Sequence, residues 1–176
     1  MRTIEYRVAL LVAVLTSAPV LLTAAAAGAE PQAIAGTVSG NVQKVGFRAM
    51  ILKQAIEYNL AGSARNNPDG TVQFSLQGDR NRIDRAVMAI RNGTRRSSNV
   101  NVSTSPASVE PNLNTFTVIA WTSTSRHITN PYDLVFTLRA DDQTMSKKEA
   151  KDVWYEILKE TLKGEDLKKL EGDDDE

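Results

Sequence analysis

The chain has 176 residues with 21 basic and 21 acidic side chains, one histidine and no cysteine. This length fits one globular domain with a short additional segment. The absence of cysteine excludes disulfides, thiolate metal sites and thiol nucleophiles, and the balanced charge lacks the basic footprint of a nucleic-acid-binding protein. We therefore expect no nucleic-acid partner.

The first 29 residues have the pattern of a secretory signal peptide. Arg2 and Arg7 give a positive start, an uncharged run extends over residues 8–26, and the small residues 27–29 form a candidate cleavage site before Glu30. We expect an exported mature chain, periplasmic or secreted, that has 19 basic and 20 acidic residues and no stable membrane insertion. An uncleaved membrane anchor is the alternative, since a span needs about 20 apolar residues.

The hydrophobic pattern between residues 33 and 122 predicts alternating strands and helices. Strands are predicted at 33–39, in a hairpin over 64–76, around 100–102 and at 116–120, and helices at 47–60 and 79–92. The order β-α-β-β-α-β indicates an α+β fold, the ferredoxin-like split β-α-β sandwich with an antiparallel sheet and two helices on one face. Asp79 is the expected N-cap of the second helix. We expect one main domain at 30–122.

The composition changes after residue 122. We expect a linker with a candidate added strand at 123–145, an amphipathic helix at 146–164 and a disordered acidic tail at 165–176. Ser146 and Glu149 have the spacing of a capping box. The apolar stripe around Trp154 either packs on the protein's own sheet or docks a protein partner.

The residues suited to chemistry cluster between the first strand and the first helix. Segment 40–48 contains two glycines and can point several backbone N–H groups at one anion, and a helix N-terminus adds positive potential there. The planar guanidinium of Arg48 can bind two oxygens of a phosphate at once. From the residues alone, an ordinary loop with a solvated arginine is the alternative. His127 lies alone in a polar segment, where we expect it to be exposed.

This loop resembles the acylphosphatase signature, in which a glycine is followed by x-Val-Gln-Gly-Val-x-Phe-Arg. Residues 62–72 resemble the family's second motif, where a basic residue and an asparagine precede a turn that ends in glycine. The resemblance covers about residues 33–121. Six of the seven fixed positions of the signature are present, namely Gly40, Val42, Gln43, Val45, Phe47 and Arg48.

The resemblance implies hydrolysis of small acyl phosphates without a metal or other cofactor. In that reaction Arg48 would bind the phosphoryl group, and Asn66 would position the water that attacks phosphorus. A small acyl phosphate or a phosphate anion is the expected ligand. The implied phosphate-binding loop consists of Gly40, Asn41, Val42, Gln43, Lys44, Val45, Gly46 and Phe47.

Lys44 stands where the signature has its second glycine. If this position takes a left-handed conformation, lysine adds strain on the order of 1 kcal/mol, although its ammonium could add charge beside a bound phosphate. The alternative function is therefore a catalytically impaired module of the same fold that binds anions or other proteins. Its C-terminal extension, residues 123–176, would engage a protein partner.

Overall fold

The computed structural model of the protein describes residues 30–172, which form one six-stranded sheet and four helices. The predicted signal peptide, residues 1–29, lies outside the described residues. In chain order the elements are β1 (Gln32–Asn41), α1 (Phe47–Tyr58), β2 (Ala61–Asn66), β3 (Val72–Gly78), α2 (Arg80–Asn92), β4 (Ser98–Ala107), β5 (Thr115–Ser123), β6 (Ile128–Thr137), α3 (Lys147–Thr161) and α4 (Gly164–Gly172).

The strands are ordered β4-β1-β3-β2-β5-β6 across the sheet. Neighbours among the first four are antiparallel, which confirms the predicted ferredoxin-like α+β sandwich. Strand β5 runs parallel to β2, so the complete sheet is mixed and not antiparallel throughout as predicted. Strand β6 pairs antiparallel with β5 and forms the added C-terminal strand at the edge of the sheet.

The core lies on one face of the sheet. Buried residues of one strand lie opposite buried residues of the neighbouring strand, so their side chains share that face. Val38 lies opposite Val72, and Gly36 lies opposite Phe74, all of them buried. A Cβ atom at position 36 would come within 2.2 Å of the Phe74 ring. Glycine therefore lets this aromatic side chain lie directly over β1.

Helix α1 occupies the centre of the helical layer. Its side chains at Ile51, Leu52, Ala55 and Ile56 are fully buried, as the 3.6-residue periodicity predicts. The helix contacts α2, α3, β2 and β5. It therefore connects the predicted sandwich to the C-terminal part of the chain.

The segment predicted as a linker, residues 123–145, contains a ten-residue strand. The polar residues before Tyr132 belong to β6, which begins at Ile128 and places Leu134 opposite Val118. The structure has the expected added strand here. The strand extends into polar residues because an edge strand needs apolar side chains on only one face. His127 is exposed in the turn before β6, as expected.

Helix α3 begins with the predicted capping box. The Ser146 hydroxyl accepts a hydrogen bond from the backbone N–H of Glu149, and the Glu149 carboxylate accepts one from the backbone N–H of Ser146. Trp154 and Leu158 are buried where α3 packs against α1 and β6. The apolar stripe of α3 therefore packs within this protein and offers no free docking surface.

The tail predicted to be disordered from residue 165 is helical as far as Gly172. The Asp166 side chain is 4% exposed. It accepts hydrogen bonds from Lys169 Nζ at 3.0 Å, Asn130 Nδ2 at 2.8 Å and the Tyr132 hydroxyl at 2.9 Å. The bonds from Asn130 and Tyr132 fasten α4 to β6, so the acidic composition does not prevent folding here. Within residues 30–172, none of the helices combines the length and the apolar character that a bilayer span requires.

The pKa of Asp166 is lowered by these hydrogen bonds, most strongly by the one from Lys169. A carboxyl group with a lowered pKa stabilises the folded state above its unfolded pKa of about 3.9, and this stabilisation is lost as the pH falls through the folded pKa. We predict that Asp166→Asn lowers the thermal unfolding midpoint at about pH 7, and that the difference from the wild type shrinks towards about pH 3. Thermal unfolding of both proteins, followed by circular dichroism at the two pH values, tests this prediction. The same difference in unfolding midpoint at both pH values would contradict it.

Candidate active site

The turn between β1 and α1 curls because two of its residues have left-handed backbone conformations. Lys44 has a φ of 60° and Gly46 a φ of 74°. Gly46 is the N-cap of α1 and provides no side-chain cap. The first N–H groups of a helix have no acceptor within it, so those of α1 can bind an anion lying in front of the helix. The turn therefore has the backbone geometry of an anion-binding loop.

Lys44 takes a conformation that glycine adopts without strain. For a residue with a Cβ atom, this left-handed geometry costs about 1 kcal/mol. The side chain is exposed and lines the cavity described below. Lysine in place of glycine at this position therefore adds both backbone strain and a positive charge.

Arg48, in the first turn of α1, is held by the backbone of β5. Its Nη1 donates to the carbonyl oxygens of Ile119 and Ala120, each at 2.8 Å. Burial lowers the pKa of the Arg48 guanidinium. An arginine side chain nevertheless stays protonated in proteins at neutral pH. The two bonds use Nη1, and the guanidinium carries further donors on Nη2 and Nε that can bind a phosphoryl group.

An irregularity in β5 presents these two carbonyls to Arg48. Ala120 has a φ of 50°, and the register between β5 and β6 shifts between Val118 and Trp121. The backbone N–H of Ala120 donates to Asp133 Oδ1 of β6 at 2.8 Å. Bulges of this kind redirect side chains near functional sites, and Trp121 lines the cavity. Strand β6 thus supports the part of β5 that holds Arg48.

Asn66 lies at the end of β2, on the wall of the same cavity as Arg48. The adjoining turn is tied to the loop by Gln43, whose Nε2 donates to the carbonyl oxygens of Asn67 at 2.8 Å and Thr71 at 2.9 Å. These bonds fix the position of the hairpin relative to the loop. The structure therefore brings the two predicted catalytic side chains to one cavity.

The cavity has a volume of about 250 Å³. Gly40 and Asn41 do not line it, and neither does Val45. Gly40 instead allows close approach of β4, because a Cβ atom there would lie 2.2 Å from the carbonyl oxygen of Asn99. The predicted residues that do line it are Val42, Gln43, Lys44, Gly46, Phe47, Arg48 and Asn66.

Among residues 30–172, those that line the cavity include five cations and no carboxylate. A concave site with charges of one sign raises the local concentration of oppositely charged ligands. Two of the cations, Lys44 and Arg48, belong to the predicted site. Those that the sequence analysis missed are Lys53 of α1, Arg96 of the α2–β4 loop and Arg126 of the β5–β6 turn. The sequence could not predict that these three residues lie close together, because they belong to different elements that meet only in the folded protein.

Comparisons with known proteins match the part of the chain that contains the predicted sandwich. The acylphosphatase family model matches residues 34–118. An acylphosphatase of Chlorobaculum tepidum is 40% identical over 82 residues, which cover 47% of this chain and 89% of that protein. An acylphosphatase of Koribacter versatilis is 36% identical over 81 residues, which cover 46% of this chain and 74% of that protein.

The solved structures that match include the crystal structure of acylphosphatase from Bacillus subtilis. It is 30% identical and has a TM-score of 0.47, and the match covers 51% of this chain and 99% of that chain. The region after residue 118, which contains β6, α3 and α4, lies outside the family match.

Proposed function

Because the chain belongs to the acylphosphatase family, we propose that it hydrolyses the carboxyl–phosphate bond of small acyl phosphates. The products are a carboxylate and inorganic phosphate. The proposal depends on one observation: Arg48, Asn66 and the left-handed loop line a single cavity, to which the described part of the chain contributes cations and no carboxylate.

The loop and Arg48 would bind the phosphoryl group. The backbone N–H groups of residues 41–47 would donate to its oxygens, and Arg48 would add a charged donor pair. The transition state of phosphoryl transfer spreads negative charge over three equatorial oxygens. Donors that are already held in place stabilise this charge without having to reorganise during the reaction. The bonds from Arg48 to β5 provide this preorganisation.

Asn66 would orient the attacking water. The water oxygen forms a bond to phosphorus while the bond between phosphorus and the acyl oxygen breaks, and the electron pair of that bond leaves with the carboxylate. A carboxylate has a pKa near 4 and departs as an anion, so no histidine acid is needed. The proton of the water passes to the phosphate product or to solvent. Positioning and charge stabilisation are then sufficient for catalysis.

The conformation of Lys44 favours a second candidate function. A strained loop with an extra ammonium would bind phosphate yet catalyse poorly, which describes an impaired anion-binding module. In this alternative the C-terminal residues engage a protein partner. Such a partner would contact surfaces other than the buried stripe of α3.

We further propose that the mature protein is exported and lies in the periplasm or outside the cell. The support comes from the positive start, the uncharged run and the small residues that precede Glu30.

We predict that the purified protein hydrolyses benzoyl phosphate without added metal, and that Arg48→Ala lowers kcat/KM by about 100-fold or more, since it removes a preorganised donor. We expect Asn66→Ala to lower kcat by about 100-fold through loss of water positioning. Stopped-flow absorbance measures both rates.

Arg95→Ala, which removes an exposed arginine beside the cavity residue Arg96, is the control and should hydrolyse benzoyl phosphate at the wild-type rate. Unchanged rates in both site variants would show that the assigned roles are wrong.

Lys44→Gly and Lys44→Ala separate backbone strain from charge. Release of about 1 kcal/mol of strain in the transition state gives about a fivefold gain in kcat, so we expect no more than this from Lys44→Gly. Lys44→Ala keeps the strained Cβ atom and removes only the charge. A much larger gain in the glycine variant would favour the impaired module, and the same benzoyl phosphate assay decides between the two functions.

Mass spectrometry of the exported chain tests the signal peptide. We predict an N-terminus at Glu30, and an intact N-terminus beginning at Met1 would support a retained membrane anchor instead.

A further inference from the structure

One wall of the cavity is built by chain that lies outside the family match. Residues 123–126 of the β5–β6 turn and Trp154 of α3 line the cavity together with the loop and Arg48. Lys53 of α1 completes this wall. The helical rise of 1.5 Å per residue places Lys53 roughly 7.5 Å farther along α1 than Arg48, so the two cations can serve different parts of one ligand.

Lys53 is held over the face of Trp154. Its Nζ lies 4.0 Å from the centroid of the ring, the geometry of a cation–π interaction. Burial lowers the pKa of Lys53, and the nearby cations Lys151 and Arg126 lower it further. A negative charge bound at this position would relieve that repulsion.

Arg126 is oriented by the same aromatic pair. Its Nη2 donates to the Tyr155 hydroxyl at 3.0 Å, and its guanidinium carbon lies 5.5 Å from the centroid of the Trp154 ring. Tyr155 meets Trp154 edge to face, with centroids 5.1 Å apart. The second wall is therefore a built arrangement of two cations on an aromatic support.

The phosphoryl group of an acyl phosphate would be bound by Arg48 and the loop, so the second wall faces the acyl part of the substrate. On the basis of the proposed hydrolase function, we infer that Lys53, Arg126 and Trp154 form a subsite for the acyl group that selects acyl phosphates with a second negative charge. Trp154 holds Lys53 and Arg126 in place, and the two cations bind the anionic group at the far end of the acyl group. A carboxylate or a second phosphate on the acyl group has this chemistry.

Two substrates that differ only in this charge test the subsite: benzoyl phosphate and 4-carboxybenzoyl phosphate. We expect kcat/KM to be at least about tenfold higher for the carboxylated substrate, the ratio that a coupling of about 1.4 kcal/mol produces. Lys53→Gln should bring the ratio close to one, whereas Lys53→Arg, which keeps the charge, should retain the preference. Lys163→Gln removes an exposed lysine outside the cavity and should change neither rate.

Hydrolysis of both substrates at equal kcat/KM by the wild type would overturn the subsite while leaving the proposed function intact. A preference that survives in Lys53→Gln would overturn the role of Lys53. 4-Carboxybenzoyl phosphate and 4-phosphonobenzoyl phosphate distinguish the two sources of negative charge. The substrate whose kcat/KM falls further in Lys53→Gln carries the group that the subsite prefers.

If neither substrate is hydrolysed, the proposed function fails and equilibrium binding still tests the subsite. Both tryptophans of the chain, Trp121 and Trp154, line the cavity, so their fluorescence reports on a bound ligand. Terephthalate can place one carboxylate in the loop and the other on the second wall. We expect its Kd to be at least about tenfold lower than that of benzoate, and this difference to disappear in Lys53→Gln. Equal Kd values would overturn the inference.

Discussion

Arg48 joins the N-terminus of α1 to the bulge in β5 through two hydrogen bonds from one nitrogen. This contact determines where the guanidinium lies relative to the left-handed turn in front of it. The bulge depends in turn on Asp133 of β6, whose carboxylate accepts a hydrogen bond from the backbone N–H of Ala120. The arginine that would bind the phosphoryl group is thus positioned by both the family segment and the C-terminal addition, and the addition is part of the site's support.

The C-terminal addition also changes the character of the cavity. Lys53 and Arg126 meet at Trp154, whose helix is fixed by a capping box and by packing against α1. The loop before α1, by contrast, is held by the φ of Lys44 and by the bonds from Gln43 to the hairpin, all within the family segment. The two walls therefore have different structural origins, one in the family segment and one in the C-terminal addition.

The locally encoded features could be predicted from the sequence. The periodicity of α1, the cap at Asp79 and the capping box of α3 each depend on residues a few positions apart, and the structure confirms them. The extent of β6 was missed because its exposed face is polar, and α4 was missed because Asp166 is stabilised by distant partners such as Asn130. The second wall of the cavity was missed for the same reason, since it joins segments far apart in the sequence. The roles of Arg48 and Asn66 remain predictions.

The central claim, that the turn before α1 binds a phosphoryl anion together with Arg48, is tested most directly by amide chemical shifts. In a titration of ¹⁵N-labelled protein with inorganic phosphate, we predict saturable shifts of the backbone signals of residues 41–47, accompanied by a shift of the Arg48 side-chain signal. Arg48→Ala should weaken these shifts throughout the turn. Signals that stay unchanged in the turn, or that move only at a distant surface, would contradict the account.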